Sequence, residues 1–459
     1  MAQEIPGTVY KNWARTFTCK PERYFEPVSV TEIKEVIELA ATSNKKVRVI
    51  GAGQSPSDVC CTNDFMISFK KFNDVLEVFP DKKQIKVQCG IQLSKLNRVL
   101  DAYGMRFPVL SAVDCISIGG IISTVVHGSG KKYAAMASYV SELEVMLADG
   151  SVILCNKYTN SEIFYALPGS IGTLGILLTA TLDCLSASYL EQSTLSLPFW
   201  EALPLIDEDP MDSSEHGKFL FYPYSDRTVK FDINKSANEI PVPAASNIIF
   251  DVLRKSGLLE LLFYICVCFK ILVPKMNDFM HWLLFSSPTY VRDKNYKVLH
   301  FDCLFSQYVT EWSIPKERGG IFIKKLRERI LSQGLSVHGP IEIRFVKGDN
   351  FYLSPYYKQD SMVVNIVMFR PYGKNPPDHD QYFKMFEDLA ISFGGRPHWA
   401  KKHTMSPDFF KSAYPKFDEF LAIRQKLDPF NMFVNHYVER HILGSTPIKG
   451  GYLDDTIST

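Results

Sequence analysis

Apolar positions near the start of the chain recur with a helical period. Ser29 and Glu32 form a capping-box pair, and Ile33, Val36, Ile37, Ala40 and Ala41 then fall on one face of a 3.6-residue helix. The polar turn Ser43-Asn44-Lys45-Lys46 separates this helix from Val47-Arg48-Val49-Ile50, a short strand running into Gly51-Ala52-Gly53. Strands follow over 75–79 and 84–89, joined by the polar residues 80–83, and a helix over 92–103 closes the unit. The pattern ELEVMLADGSVIL over 142–154 is a hairpin signal, with Asp149-Gly150 supplying the turn. After Ser186 the character changes: an acidic stretch DEDPMDSSEH, a Pro/Ala-rich stretch over 241–246, then the apolar run LLELLFYICVCFKILV over 258–273 and the aromatic-rich MNDFMHWLLF ending at Phe285. Strand patterning returns over 338–346 and 362–368, the C-terminal part is helical, and 394–404 reads as a loop.

The apolar run admits two readings. Sixteen residues interrupted by Glu260 and Lys270 fall short of the ~20 needed to span a bilayer. They form either a buried helix pair or an interfacial segment lying on a membrane, the latter favoured by Trp, Phe and Met content and by flanking Lys255 and Lys275.

Composition narrows the class. A chain of 459 residues holds about two large domains or three ordinary ones. With 51 Lys+Arg against 50 Asp+Glu it lacks the basic excess of a nucleic-acid binder, which directs attention to a small-molecule site. Ten cysteines form no CxxC pair and the start MAQEIPG has no secretory pattern, so reduced thiols are expected. No HExxH or cysteine partner accompanies His398 with His403 or His436 with His441, and no metal site is predicted.

Three glycine-containing segments stand out in the first third: Gly51-Ala52-Gly53-Gln54-Ser55-Pro56-Ser57-Asp58, Gly119-Gly120 through His127-Gly128-Ser129-Gly130, and Gly169-Ser170-Ile171-Gly172-Thr173-Leu174-Gly175. Each alone reads as an ordinary turn; together they suit the wrapping of a diphosphate cofactor. A dinucleotide fingerprint fails, because Pro56 stands where its third glycine belongs, and no GxxxxGK[ST] occurs. Further on, Glu342 and Arg344 sit two apart in IEIRF and point to one face of a strand, either as an exposed surface pair or aimed into a cleft that fixes a polyhydroxylated substrate. The loop Gly395-Arg396-Pro397-His398-Trp399-Ala400-Lys401 is dense in side chains able to line a site.

These segments, together with Asn12-Trp13-Ala14, Gly53-x-Ser55-Pro56-Ser57-Asp58, Gly172-x-x-Gly175-Ile176, Trp312-x-Ile314-Pro315, Glu342-Ile343-Arg344-Phe345, Arg370-Pro371-Tyr372-Gly373-Lys374 and Leu427-Asp428-Pro429, resemble the aldonolactone oxidoreductases of the L-gulonolactone oxidase type, a branch of the vanillyl-alcohol-oxidase class of FAD enzymes. The resemblance spans nearly the whole chain. It implies an α+β architecture: an N-terminal segment 1–16, a PCMH-type FAD-binding domain of two subdomains over 17–187, and a substrate or cap domain over 188–459 built on an antiparallel sheet with helices. It assigns cofactor contacts to Gly51, Ala52, Gly53, Gln54, Ser55, Ser111, Gly119, Gly120, Ser123, His127, Gly128, Gly172, Gly175 and Ile176. Catalytic roles fall to Glu342 (substrate hydroxyls), to Arg344 and Lys401 (negative charge on reduced flavin), and to His398 in the His-Trp-x-Lys loop. The implied reaction is oxidation of an aldono-1,4-lactone at its C2 hydroxyl with hydride passing to flavin N5, the 2-keto lactone tautomerising to ascorbate or an analogue.

Three positions depart from the family pattern. Gln54 stands where the animal oxidases carry a histidine bonded to the flavin; an amide has no nucleophilic ring nitrogen, so dissociable FAD is expected. Val125 adds bulk where small residues are usual, and Ser111 matches neither the glycine of oxidases nor the alanine of a dehydrogenase relative. The expected partners are a sugar lactone and O2, with a cytochrome or quinone acceptor and a catalytically silent FAD-binding protein as the rival readings. The expected location is the endoplasmic reticulum membrane, the alternative being the cytoplasm.

Overall fold

The computed structural model describes residues 2–207, 214–245, 247–300 and 305–446. Most of the acidic stretch, Ser246 and Cys303 lie outside the described residues. The first helix, α1 (Val30–Thr42), starts where the capping pair places it. Ser29 Oγ accepts the Glu32 N–H at 3.2 Å, while the Glu32 carboxylate accepts the Val28 N–H at 2.7 Å, and Ile33, Val36, Ile37 and Ala40 form the buried face.

Strands β1 (Gln3–Glu4), β2 (Arg23–Glu26), β3 (Val47–Ile50) and β4 (Phe65–Ser68) make a sheet ordered β1–β2–β4–β3, in which β2 and β3 both run parallel to β4. An antiparallel sheet follows from β5 (Val75–Phe79), β6 (Gln84–Gln88), β7 (Val140–Met146), β8 (Val152–Asn156) and β9 (Ile176–Asp183), ordered β8–β7–β9–β6–β5. Helices α2 (Leu93–Ala102) and α3 (Ile118–Thr124) lie between β6 and β7 in sequence. The β7–β8 hairpin turns at Gly150, whose φ of +77° is left-handed and suits glycine.

The rest of the chain builds one eight-stranded antiparallel sheet. Its strands are β10 (Tyr189–Pro198), β11 (His216–Phe221), β12 (Arg227–Ser236), β13 (Tyr290–Lys294), β14 (Gln307–Pro315), β15 (Ile341–Val346), β16 (Ser361–Phe369) and β17 (Arg396–Pro397), in the order β13–β10–β12–β11–β15–β16–β14–β17. The last strand corrects the expectation of a continuous loop over 394–404: Arg396 and Pro397 pair with Ser313 and Trp312 at the sheet edge. A single hydrophobic core runs from Phe25 and Ile33 through Ile343 to Tyr437, so all three sheets share it. The C-terminal segment returns to the first sheet: Val47 N–H bonds the Met432 carbonyl at 2.7 Å, and Arg440 holds both oxygens of Asp58 at 3.0 and 2.9 Å.

The apolar run forms a three-helix unit, α4 (Ile248–Lys255), α5 (Leu258–Cys268) and α6 (Val273–Phe285). Leu259, Phe263, Cys266, Val273, Met276, Met280 and Leu283 pack with Tyr222, just after β11, and with Phe369 of β16, as the buried-helix reading requires. Other apolar side chains of the unit face outward, among them Ile248, Ile249, Val252, Phe269, Trp282 and Ile271, the last 82% exposed. No described helix is long and apolar enough to cross a membrane. The nine described cysteines are free thiols.

Candidate active site

Two neighbourhoods emerge. The first is a cleft where the loop after β3, the start of α3 and the loop before β9 converge. Of the predicted cofactor residues, Gly51, Ser55, Gly119, Gly120, Ser123, Gly172, Gly175 and Ile176 line it. Gly51 meets the capping Ser117 so closely that a Cβ would fall 1.8 Å from Ser117 Oγ. Gly175, at φ +143°, would press a Cβ to 2.7 Å from the Met146 carbonyl.

Arg48 also lines the cleft, and sequence reading missed it because it sits inside the buried strand β3. Its guanidinium donates to three carbonyls, Phe433 at 3.0 Å, Val59 at 2.7 Å and Ile171 at 2.8 Å, tying distant segments into one wall. None of these acceptors carries charge, and Arg48 Nε has no partner among the described residues. A buried cation facing a cleft without a carboxylate attached is suited to an anionic group. The N–H groups of residues 51–55 likewise meet no acceptor among the described residues. Both observations fit the diphosphate of FAD. Cys60, Cys89, Ser117, Thr124 and Phe433 also line it, all outside the predicted set.

Ala52, Gly53, Gln54, Ser111, His127 and Gly128 are not part of this lining. Gln54 Nε2 reaches only the Ala52 carbonyl, at 3.5 Å. The Ser111 hydroxyl donates to the Val113 carbonyl at 2.6 Å, and its own carbonyl accepts from His300 Nδ1 at 2.9 Å. Val125 does not intrude: it packs with Ala135, Val346, Tyr356 and Val363.

The second neighbourhood is on the large sheet. Register places Glu311 on β14 opposite Asn365 on β16, and Asn365 opposite Glu342 on β15, so the three share one face. Glu342 and Arg344 are only 7% and 8% exposed, which overturns the surface-pair alternative. Arg344 Nη2 lies 2.5 Å from Glu342 Oε2, and Lys218 Nζ, from the neighbouring β11, lies 3.1 Å from Oε1. Burial pushes the Glu342 carboxyl up, but the two cations outweigh it and hold it below the usual value. Burial pulls Lys218 down from the ordinary lysine value, with Glu342 opposing.

Glu311, also missed in the sequence, joins this face to the flavin loops. Its Oε1 lies 3.1 Å from His127 Nε2 and 3.9 Å from His398 Nε2, and its Oε2 accepts from Asn365 Nδ2 at 3.1 Å. Burial opposes ionisation, yet His127, Lys401 and His398 together hold the carboxyl well below its usual range. His398 is driven down to about 3, chiefly by burial, and is neutral. The Ala400 N–H donates to its Nδ1 at 3.1 Å, so the ring proton sits on Nε2. The donor atoms of His127, Glu311 and His398 all lie within 4.8 Å of one another, as in a metal site. A ring whose Nδ1 lone pair is already engaged and whose Nε2 bears hydrogen does not ligate a cation, so this cluster is one of hydrogen bonds and charge. The structure therefore brings Glu342, Arg344, Lys401, His398 and His127 together and adds Glu311 and Lys218.

Two family models match the chain in succession. Residues 180–441 match the family described as D-arabinono-1,4-lactone oxidase, and residues 21–156 match the FAD binding domain. The mouse (Mus musculus) L-gulonolactone oxidase is 38% identical, over 96% of this chain and 99% of its own length. An L-gulono-1,4-lactone dehydrogenase of Mycobacterium tuberculosis is 27% identical over 95% of this chain and 99% of its own. Among solved structures, cholesterol oxidase from B. sterolicum superposes with a TM-score of 0.81 at 14% identity, covering 96% of this chain and 97% of that one, which shows the shared fold.

Arg48→Met removes the cleft's unneutralised cation. Fluorescence titration should show FAD bound at least about tenfold more weakly, roughly 1.4 kcal/mol; unchanged affinity in a variant with native circular dichroism would exclude Arg48 from cofactor binding.

Proposed function

The chain belongs to the D-arabinono-1,4-lactone oxidase family, FAD-dependent oxidoreductases of aldonolactones, and on that premise we propose that it oxidises the C2 hydroxyl of an L-gulono-1,4-lactone-like substrate. The product is the 2-keto lactone, which tautomerises to ascorbate or its analogue, and O2 accepts the two electrons and two protons to give H2O2. The observation that carries this reading is the buried Glu342 clamped between Lys218 and Arg344, within one charge cluster with His127, Glu311 and Lys401.

Bound FAD supplies the two-electron acceptor. Glu342, ionised and immobilised, accepts hydrogen bonds from lactone hydroxyls and fixes which carbon is presented. Arg344 and Lys401 place positive charge where negative charge develops, in a dry site where it acts strongly. His398 donates from Nε2. Gln54 offers no nucleophilic ring nitrogen for a flavin bond, so the cofactor is held without covalent attachment.

Anaerobic mixing with a panel of aldonolactones should bleach the flavin, with L-gulono-1,4-lactone among the effective members, and acid precipitation should release the flavin to the supernatant. Failure of every lactone to bleach it would replace the reading with a silent FAD-binding protein. Turnover on an artificial acceptor without turnover on O2 would make the enzyme a dehydrogenase.

Lys218→Met tests the clamp. Without that cation burial raises the Glu342 carboxyl, so the charge needed for binding is lost at a higher pH as pH falls. The acid limb of kcat/KM should move to higher pH; an unmoved limb would detach Lys218 from Glu342.

The exposed apolar side chains of α4 to α6, bordered by exposed Lys255, Lys270 and Lys275, support attachment to a membrane surface, which we assign to the endoplasmic reticulum. The protein should co-float with anionic vesicles and lose at least half of that binding on Ile271→Glu with Trp282→Glu. Protein remaining at the bottom of the gradient would remove the membrane assignment.

A further inference from the structure

We propose that Glu311 is a positioning residue that keeps a second proton on His127, making the two a buried ion pair that fixes the 127–130 loop against the sheet carrying Glu342 and Arg344. Its kinetic arm rests on the lactone-oxidising reading above; its spectroscopic arm does not.

Hydrogen-bond direction carries the inference. His127 Nδ1 lies 2.7 Å from the Gly128 carbonyl, which can only accept, so Nδ1 bears a hydrogen. The other ring nitrogen, Nε2, lies 3.1 Å from Glu311 Oε1. A neutral imidazole has one N–H, already spent on Gly128, so the second bond needs one more proton within the pair. The surroundings decide where it resides. Glu311 faces Asn365 Nδ2 at 3.1 Å on β16, His398 and Lys401 from the 398–403 segment, and Arg344 on β15. Each of these favours the carboxylate, and the proton stays on the ring. The other groups around His127 do not compete for it. Glu342 is engaged by Arg344 and Lys218, and Tyr356 meets the ring edge-on with centroids 5.5 Å apart.

Position gives the pair its consequence. Directly after His127 and Gly128 the chain docks on the sheet: Gly130 N–H bonds the Phe345 carbonyl at 2.8 Å, and the Ser129 hydroxyl bonds the Gly217 carbonyl. Phe345 follows Arg344, and Gly217 precedes Lys218. The ion pair therefore sits where a flavin-side loop joins the strands that hold Glu342, and it adds a further cation to the cluster of Arg344, Lys401 and Lys218.

The test uses the full-length flavoprotein labelled with 15N-histidine, the His127 signals being identified by their loss in His127→Gln. At pH 8 both His127 ring nitrogens should be protonated, and should stay so from pH 6 to 8. In Glu311→Gln the second proton should be absent at pH 8 and return only as the pH is lowered. In the same variant flavin reduction by L-gulono-1,4-lactone should slow at least tenfold at pH 8 and recover toward pH 6, with FAD affinity within threefold of wild type. A singly protonated His127 in the wild type at pH 8 overturns the proposal, and so does a loss in Glu311→Gln that is the same at every pH. If Glu311→Gln does not fold, the wild-type spectrum decides. A wild-type flavin that no lactone reduces would refute the functional reading while leaving the proton count on His127 to settle this one.

Discussion

Two carboxylates, Glu311 and Glu342, are buried on one face of the eight-stranded sheet, and that constraint organises the rest of the site. An unpaired carboxylate in such a place would cost several kcal/mol. Each is therefore ringed: Glu342 by Lys218 and Arg344, Glu311 by His127, Asn365 and the cations nearby. The ring members come from β11, β15 and β16 and from two loops outside the sheet. Neutralising buried charge thus dictates which strands are neighbours and which loops must close over them. The same arrangement yields a dry face rich in fixed hydrogen-bonding groups, which is what recognition of a polyhydroxylated lactone demands.

The cleft obeys the opposite rule. There a buried cation, Arg48, is left with carbonyl partners only, and the N–H groups of the adjoining loop stay open. Carboxylates paired within the chain on the substrate side, and a cation left to carbonyl partners on the cofactor side, divide the labour between a small neutral lactone and a large anionic cofactor. Phe433, from the returning C-terminal segment, takes part in both the Arg48 network and the cleft wall. Cofactor holding thus draws on residues nearly four hundred positions apart.

Much of this was legible in the chain, and the limits have physical reasons. The α1 cap, the hairpin at Gly150 and the shared face of Glu342 and Arg344 follow from local spacing. Depth does not: alternation says which way a side chain points, and the surface-pair alternative failed because a second layer covers that face. Glu311 stayed hidden because every residue of β14 is buried, so the strand shows no alternation to mark a polar position as special. Arg48 was masked likewise within Val47–Ile50, and Lys218 looked like any strand lysine until register set it opposite Arg344. Residues of all three glycine segments line the cleft, yet His127 and Gly128 belong to the junction with the sheet more than to the cleft.

Val125 shows how that junction is set. A β-branched residue at φ +53° strains the backbone by roughly 1–2 kcal/mol, and α3 ends there in a left-handed cap. Burying the side chain completely among Val346, Tyr356 and Val363 returns about as much or more, ~1.5–3 kcal/mol. The bulk that looked like an intrusion into the cofactor loop is instead an anchor pulling that loop onto β15 and β16, two residues before His127 meets Glu311. Shape at Val125 and charge at His127 act on the same short segment and toward the same sheet. The position of the flavin loop is therefore a property of the substrate-side sheet as much as of the flavin-side fold, and a change on β14 or β15 reaches the cofactor through packed and paired atoms, without any movement of the domains as bodies.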